Sequence, residues 1–151
     1  RAHTWIPVVF GEDLSLQVIT WYAADKTLKK FGYVQKGDEL IVPQDIDVVS
    51  FIEVDGITNR GGTIILTLDD GEVLECVYEP IGPGGTSEHH RYPVTDTLCK
   101  VILNKGKRIG VGCYEAGFNA MGGTDLPNPK TLINGRMENG IFSFKKLPLV
   151  C

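Results

Sequence analysis

Three residues at the start of the chain, Arg1, His3 and Trp5, are of types that do chemistry together. In an extended strand they lie two apart and project from one face. An imidazole moves a proton, a guanidinium holds a carboxylate or enolate oxygen, and an indole walls an apolar chamber. A fourth residue joins them from far along the chain. In RIGVGCYE, Glu115 continues the row of Ile109, Val111 and Cys113, which is read as the inward face of a strand. A carboxyl group buried there would have a raised pKa and act as a general acid or base; a rim position paired with a lysine is the alternative. The opening row is thus read as a chamber wall, with a rim of solvated side chains as the plainer alternative.

Aromatic residues supply the rest of the candidate chamber. Trp21 and Tyr22 are adjacent, so a regular strand points one inward and one outward. Phe31 and Tyr33 share a face, and Tyr114 precedes Glu115. The expected catalytic set is His3, Glu115 and Tyr22, with Tyr22 orienting a polar group of the substrate. Arg1, Trp5, Trp21, Phe31, Tyr33 and Tyr114 are the expected ligand-binding set. Core and girdle positions are the commoner fate of such aromatics in a β protein. His89 and His90 are neighbours, so an extended chain turns them to opposite sides, and no third ligand is placed by spacing. No metal is expected. The chain holds no G-x-S-x-G motif, phosphate loop or dinucleotide fingerprint, and no cofactor is expected.

The elements that must position these residues are strands. Helical periodicity is nearly absent, and short alternating runs are punctuated by turn residues. LSLQVITWYA places Leu14, Leu16, Val18, Thr20 and Tyr22 on one face. TIILTLDDGEVLECVYE is a hairpin turning at Asp69-Asp70-Gly71, and LCKVILNKGKRIGVGCYEAG is another, turning at Asn104-Lys105-Gly106. Gly110 and Gly112 alternate with Ile109, Val111 and Cys113; they leave room for a bulky neighbour, for curvature or for a ligand. IGPGGTSEHHRYP reads as a long loop. Residues 119–151 read as an irregular segment ending in the strand GIFSFKKL. Nine or ten strands follow, in one domain spanning residues 1–151. A meander of that kind removes its edges most economically by closing into a barrel.

Bulk properties narrow the function classes. With 42% hydrophobic residues, 23% charged residues and a net charge of -4, the chain is an ordinary globular one without a basic stripe. Nucleic acid is therefore an unexpected partner. No apolar run approaches the roughly 20 residues that span a bilayer. The four cysteines, Cys76, Cys99, Cys113 and Cys151, form no C-x-x-C pair. Free, mostly buried thiols in a cytoplasmic protein are expected; two disulfides in a secreted one are the alternative.

The segments RAHTW, WYAADKTLKKFGYVQKGDEL, LTLDDGEVLE and GKRIGVGCYEAG occur in an order that resembles a family of paired lipocalin-like barrels. That family includes carotenoid 1,2-hydratases, AttH-type proteins and uncharacterised bacterial relatives. The similarity covers roughly residues 1–118 and matches the second barrel of the pair, with Ile6 where a glycine commonly follows the tryptophan. The resemblance implies an all-β, antiparallel lipocalin-like barrel of eight to ten strands that holds a lipophilic small molecule. It also implies a companion barrel domain, or a homodimer in its place.

The functional expectation is a metal-free hydratase, isomerase or cyclase, a lyase-type activity on an isoprenoid- or polyketide-like substrate. Such chemistry needs a water-poor chamber, a proton donor and aromatic walls that stabilise positive charge. Two other expectations stand beside it: a carrier or sensor of a lipophilic ligand, and a structural half of a two-barrel protein.

Overall fold

The computed structural model describes residues 3–23, 27–52, 58–89, 92–117, 135–138 and 141–143; Arg1, His90 and Cys151 lie outside them. The chain forms one antiparallel sheet. Its strands are β1 (His3–Val9), β2 (Leu14–Tyr22), β3 (Leu28–Lys36), β4 (Glu39–Ile41), β5 (Asp45–Ile52), β6 (Asn59–Thr67), β7 (Val73–Pro80), β8 (Gly85–His89), β9 (Tyr92–Leu103), β10 (Arg108–Gly117), β11 (Gly135–Glu138) and β12 (Ile141–Ser143). Their order across the sheet is β12-β11-β5-β6-β7-β9-β10-β1-β2-β3-β4, with β8 beside β9. Among the described residues the only helical turn is a single 3-10 turn at Asn104–Gly106.

This is the all-β antiparallel meander that the alternating runs predict. Both expected hairpins form. Leu68 N donates to Glu72 O at 2.9 Å, and Gly71 takes a φ of 85° in the turn. Asn104, Lys105 and Gly106 all have positive φ, which a two-sided tight turn demands. The segment read as a long loop instead contains β8, which pairs with the first half of β9, from Gly85↔Asp96 to His89↔Tyr92.

The sheet curls into a half-barrel. β10 pairs with β1, so the late strand closes onto the first one, with Trp5 opposite Glu115 and Val8 opposite Gly112. On the far side β3 meets β5, but no ladder of hydrogen bonds joins them among the described residues. The reason lies in β4, which folds back along the end of β3 and pairs Ile41 with Val34. Side chains span the gap instead. Lys30 Nζ lies 3.5 Å from Asp45 Oδ1. Gly32 lets the strands approach: a Cβ there would be 3.0 Å from Ile46 Cδ1 and 2.7 Å from Gln17 O.

Alternation sets what is inside. Ile6, Val8, Leu16, Val18, Val34, Val48, Ile64, Leu66, Leu74, Cys76 and Val101 form an aliphatic core that is essentially shut to solvent. Burying each large side chain contributes about 1.5–3 kcal/mol. β1 makes the choice of face plain, because Thr4, Ile6 and Val8 are buried while His3, Trp5 and Pro7 between them are only half-buried. His3 and Trp5, expected to line the chamber, therefore lie on the outer face of the sheet.

Candidate functional site

The interior has two chemically different ends. Towards the turns Gly11–Asp13 and Asp69–Gly71 it is aliphatic. Towards the start of β1 and the end of β10 it becomes polar. Register explains this band: Thr20 pairs with Thr4, Thr4 with Ala116, and Ala116 with Thr95. Thr97 stands opposite Tyr114 in the next inward-facing row. Four threonines from three strands, β1, β2 and β9, thus meet on the inward face, and each is 1% exposed or less.

Two tyrosines complete the polar end. The rings of Tyr78 and Tyr114 stack with centroids 5.3 Å apart and planes 14° from parallel. Tyr78 donates its hydroxyl proton to Ser50 Oγ at 2.6 Å. Gly62 makes room for that contact, since a Cβ there would lie 2.4 Å from the Tyr78 hydroxyl and 2.0 Å from Val49 O. Burial first, and the neighbouring Tyr114 second, push the Tyr78 phenol well above its ordinary value, with Ser50 and Asn59 opposing. Burial likewise raises Tyr114; the adjacent Ser50 and Thr4 hydroxyls oppose the shift without forming a hydrogen bond of ordinary geometry to it. Both phenols stay protonated throughout the physiological range.

Among the described residues, most of these polar groups have no partner. The hydroxyls of Thr4, Thr20, Thr95, Thr97 and Tyr114 and the Asn59 amide nitrogen are buried without a hydrogen bond. Each such group costs about 1–3 kcal/mol in a folded protein. Native interiors rarely leave so many together, and a cluster of them marks a place where something polar belongs. The Pro80–Gly85 crossover runs directly against this end. A Cβ on Gly84 would lie 2.7 Å from Thr97 Oγ1, so the glycine lets the crossover lie close against the band.

The residues singled out from the sequence gather elsewhere. His3 Nε2 lies 2.8 Å from Glu115 Oε1, with side chains 18% and 24% exposed. Trp5 is opposite Glu115 and Ile19, Trp21 is opposite His3, and Phe31 continues the row beyond Ile19. All belong to the outer face. Tyr33 is there too, donating to Gln17 Oε1 at 3.2 Å. Among the members of the expected set whose side chains are described, Tyr114 alone faces inward. Tyr22 ends β2 opposite Leu28, and its side chain, like Arg1, lies outside the described residues. The reading of Glu115 as inward is corrected by β10 itself, where Gly110, Gly112, Tyr114 and Ala116 are buried and Ile109 and Val111 are 65% and 52% exposed. The hydroxyl band was missed because threonine carries no chemical signature on its own. Its only signal was the alternation of Thr20 with Val18 and Leu16.

Other features add little chemistry. A shallow surface pocket of about 330 Å³ lies at the aliphatic end among Asp13, Lys36, Glu72, Lys107 and Arg108. Its charges are largely spent on one another, in the Arg108–Asp13 and Lys36–Glu72 pairs. Cys76, Cys99 and Cys113 are free thiols. Among the described residues no three metal-ligating side chains converge, and no helix is long and apolar enough to cross a membrane.

A family model described as a domain of unknown function, DUF7064, matches residues 1–120. No curated protein matches the chain, and no solved structure does.

Proposed function

The chain belongs to the DUF7064 family, a domain of unknown function, and from that premise we propose that it binds a lipophilic small molecule at the hydroxyl-lined end of the half-barrel. One observation carries this reading: six buried polar atoms at that end have no hydrogen-bond partner among the described residues. A protein that keeps such groups bears a standing penalty that a bound molecule relieves. The resemblance to lipocalin-like barrels supports the same reading, because barrels of that kind hold lipophilic ligands. Native mass spectrometry of the protein purified from its source tests it. An intact small molecule released on denaturation is expected; an empty protein under every condition overturns it.

A second reading rests on the His3–Glu115 contact. A histidine held by a carboxylate is the arrangement a general base needs, and Trp5 and Trp21 flank it. The pair is on the outer face, so a lipophilic substrate would have to be enclosed there by a second surface. A companion barrel is the partner that the family resemblance implies. Metal-free hydratase, isomerase or cyclase activity would then take place between two barrels. Wild-type turnover in both His3→Ala and Glu115→Gln would remove this assignment.

A further inference from the structure

Among the described residues the hydroxyl-lined end also buries no charge. Its buried polar side chains are Thr4, Thr20, Thr95, Thr97, Ser50 and Asn59, joined by the phenols of Tyr78 and Tyr114. Among the described residues no Lys, Arg, His, Asp or Glu is buried with them. A carboxylate, phosphate or ammonium pushed into this end would lose its hydration and meet no counter-charge, which protein interiors do not tolerate. Hydroxyl groups both donate and accept. They match an alcohol, which does the same, and a carbonyl, which accepts.

Depth limits the shape of the ligand as well. Beyond the band the interior is aliphatic, lined by Ile6, Val18, Val34, Ile64 and Leu66. A polar head pushed past the band would lose its hydration there and meet no hydrogen-bond partner. Resting on the binding reading above, we infer that the ligand enters head first with an uncharged hydroxyl or carbonyl group, received by Thr4, Thr20, Thr95, Thr97 and Tyr114. Its apolar body stays on the side of the band towards the start of β1 and the end of β10, away from the aliphatic core.

Four probes separate the possibilities, because decanol, decanone, decanoate and decane share a hydrocarbon and differ at the head. Binding of each to the full chain is measured at neutral pH by tryptophan fluorescence and native mass spectrometry. The wild type is compared with a Thr4→Val/Thr95→Val variant. Decanol and decanone are expected to bind about tenfold tighter than decane or decanoate, the worth of one to two hydrogen bonds. The variant is expected to lose that preference while binding decane as the wild type does. Tyr114→Phe provides the same comparison should the double variant fail to fold. Decanoate binding as tightly as decanol overturns the neutral head group, and so does a variant that keeps the preference. Failure of all four probes to bind overturns the binding reading itself, and this inference with it.

Discussion

Tyr78 and Tyr114 stack face to face across the interior, yet only Tyr78 has a hydrogen-bond acceptor for its hydroxyl. Two similar side chains in contact therefore carry opposite expectations. Tyr78→Phe strands the Ser50 hydroxyl and lowers stability by about 1–2 kcal/mol. Tyr114→Phe removes a hydroxyl that bonds to nothing, and leaves stability unchanged or raises it by up to about 1 kcal/mol. Urea unfolding of the two variants checks the difference. Equal losses in both would mean that Tyr114 has an acceptor.

Gly62 is the position least tolerant of a methyl group. Its added Cβ would overlap Val49 O at 2.0 Å, a backbone atom that cannot swing aside, and would strike the Tyr78 hydroxyl. Gly62→Ala is expected to cost about 3 kcal/mol or more, at the upper end for overpacking. Gly84→Ala meets Thr97 Oγ1 at 2.7 Å from an exposed crossover that has room to lift. It is expected to cost less in stability. Its effect is to open the polar end, read as faster hydrogen exchange of the β9 amides around Thr97.

Acid sensitivity centres on Asp13. The two hydrogen bonds from Arg108, at 2.8 and 2.7 Å, hold its carboxyl below the ordinary value of 3.8. A folded-state pKa below the unfolded one means that the unfolded chain takes up the proton first. The stabilisation is thus complete above the ordinary carboxylate value and is lost as pH falls through the depressed one. In Arg108→Gln that contribution disappears. The urea midpoints of wild type and variant are expected to differ at neutral pH and to converge in acid, and added salt is expected to shrink the gap. A gap that persists unchanged at low pH would assign the effect to something other than this pair.

The cysteines give a readout of the packed interior. Burial pushes the Cys76 thiol to about 12 and the Cys99 thiol to about 11. Burial raises Cys113 as well, with Asp96 adding to it, but that side chain is only half-buried. Alkylation of the native protein near neutral pH is expected to spare Cys76 and Cys99 and to reach Cys113 slowly, faster as pH rises. Peptide mapping after iodoacetamide checks the order. Rapid modification of Cys99 would show that the wall opens at β9.

The strands and their turns could be read from the sequence because alternation and positive-φ residues announce themselves locally. Which side of each strand faces inward could not. On β1 the choice lay between His3-Trp5-Pro7 and Thr4-Ile6-Val8, and one residue of offset exchanges the two sets. On β10 the pattern was inverted by packing. Gly110 and Gly112 point inward because Phe10 and Val8 fill the space their side chains would take, at 2.6 and 3.0 Å. The more hydrophobic Ile109 and Val111 are left outside. Hydrophobicity alone chose the wrong face there. His3 and Glu115 stood out in the sequence as separate candidates; that they touch, and do so on the outer surface, follows only from the register of β1 against β10. The threonine band needed the register between four strands, which no single segment contains.

Where β4 doubles back on β3, the circumference of the curled wall is fixed by the bulk of Gly32 and Ile46 rather than by a repeat of amide bonds. Substitution of Ile46 would adjust the bore without breaking a ladder, whereas a side chain at Gly32 would meet Gln17 O on the paired strand β2. Relatives with a wider or narrower bore would be expected to vary at Ile46 and to keep Gly32.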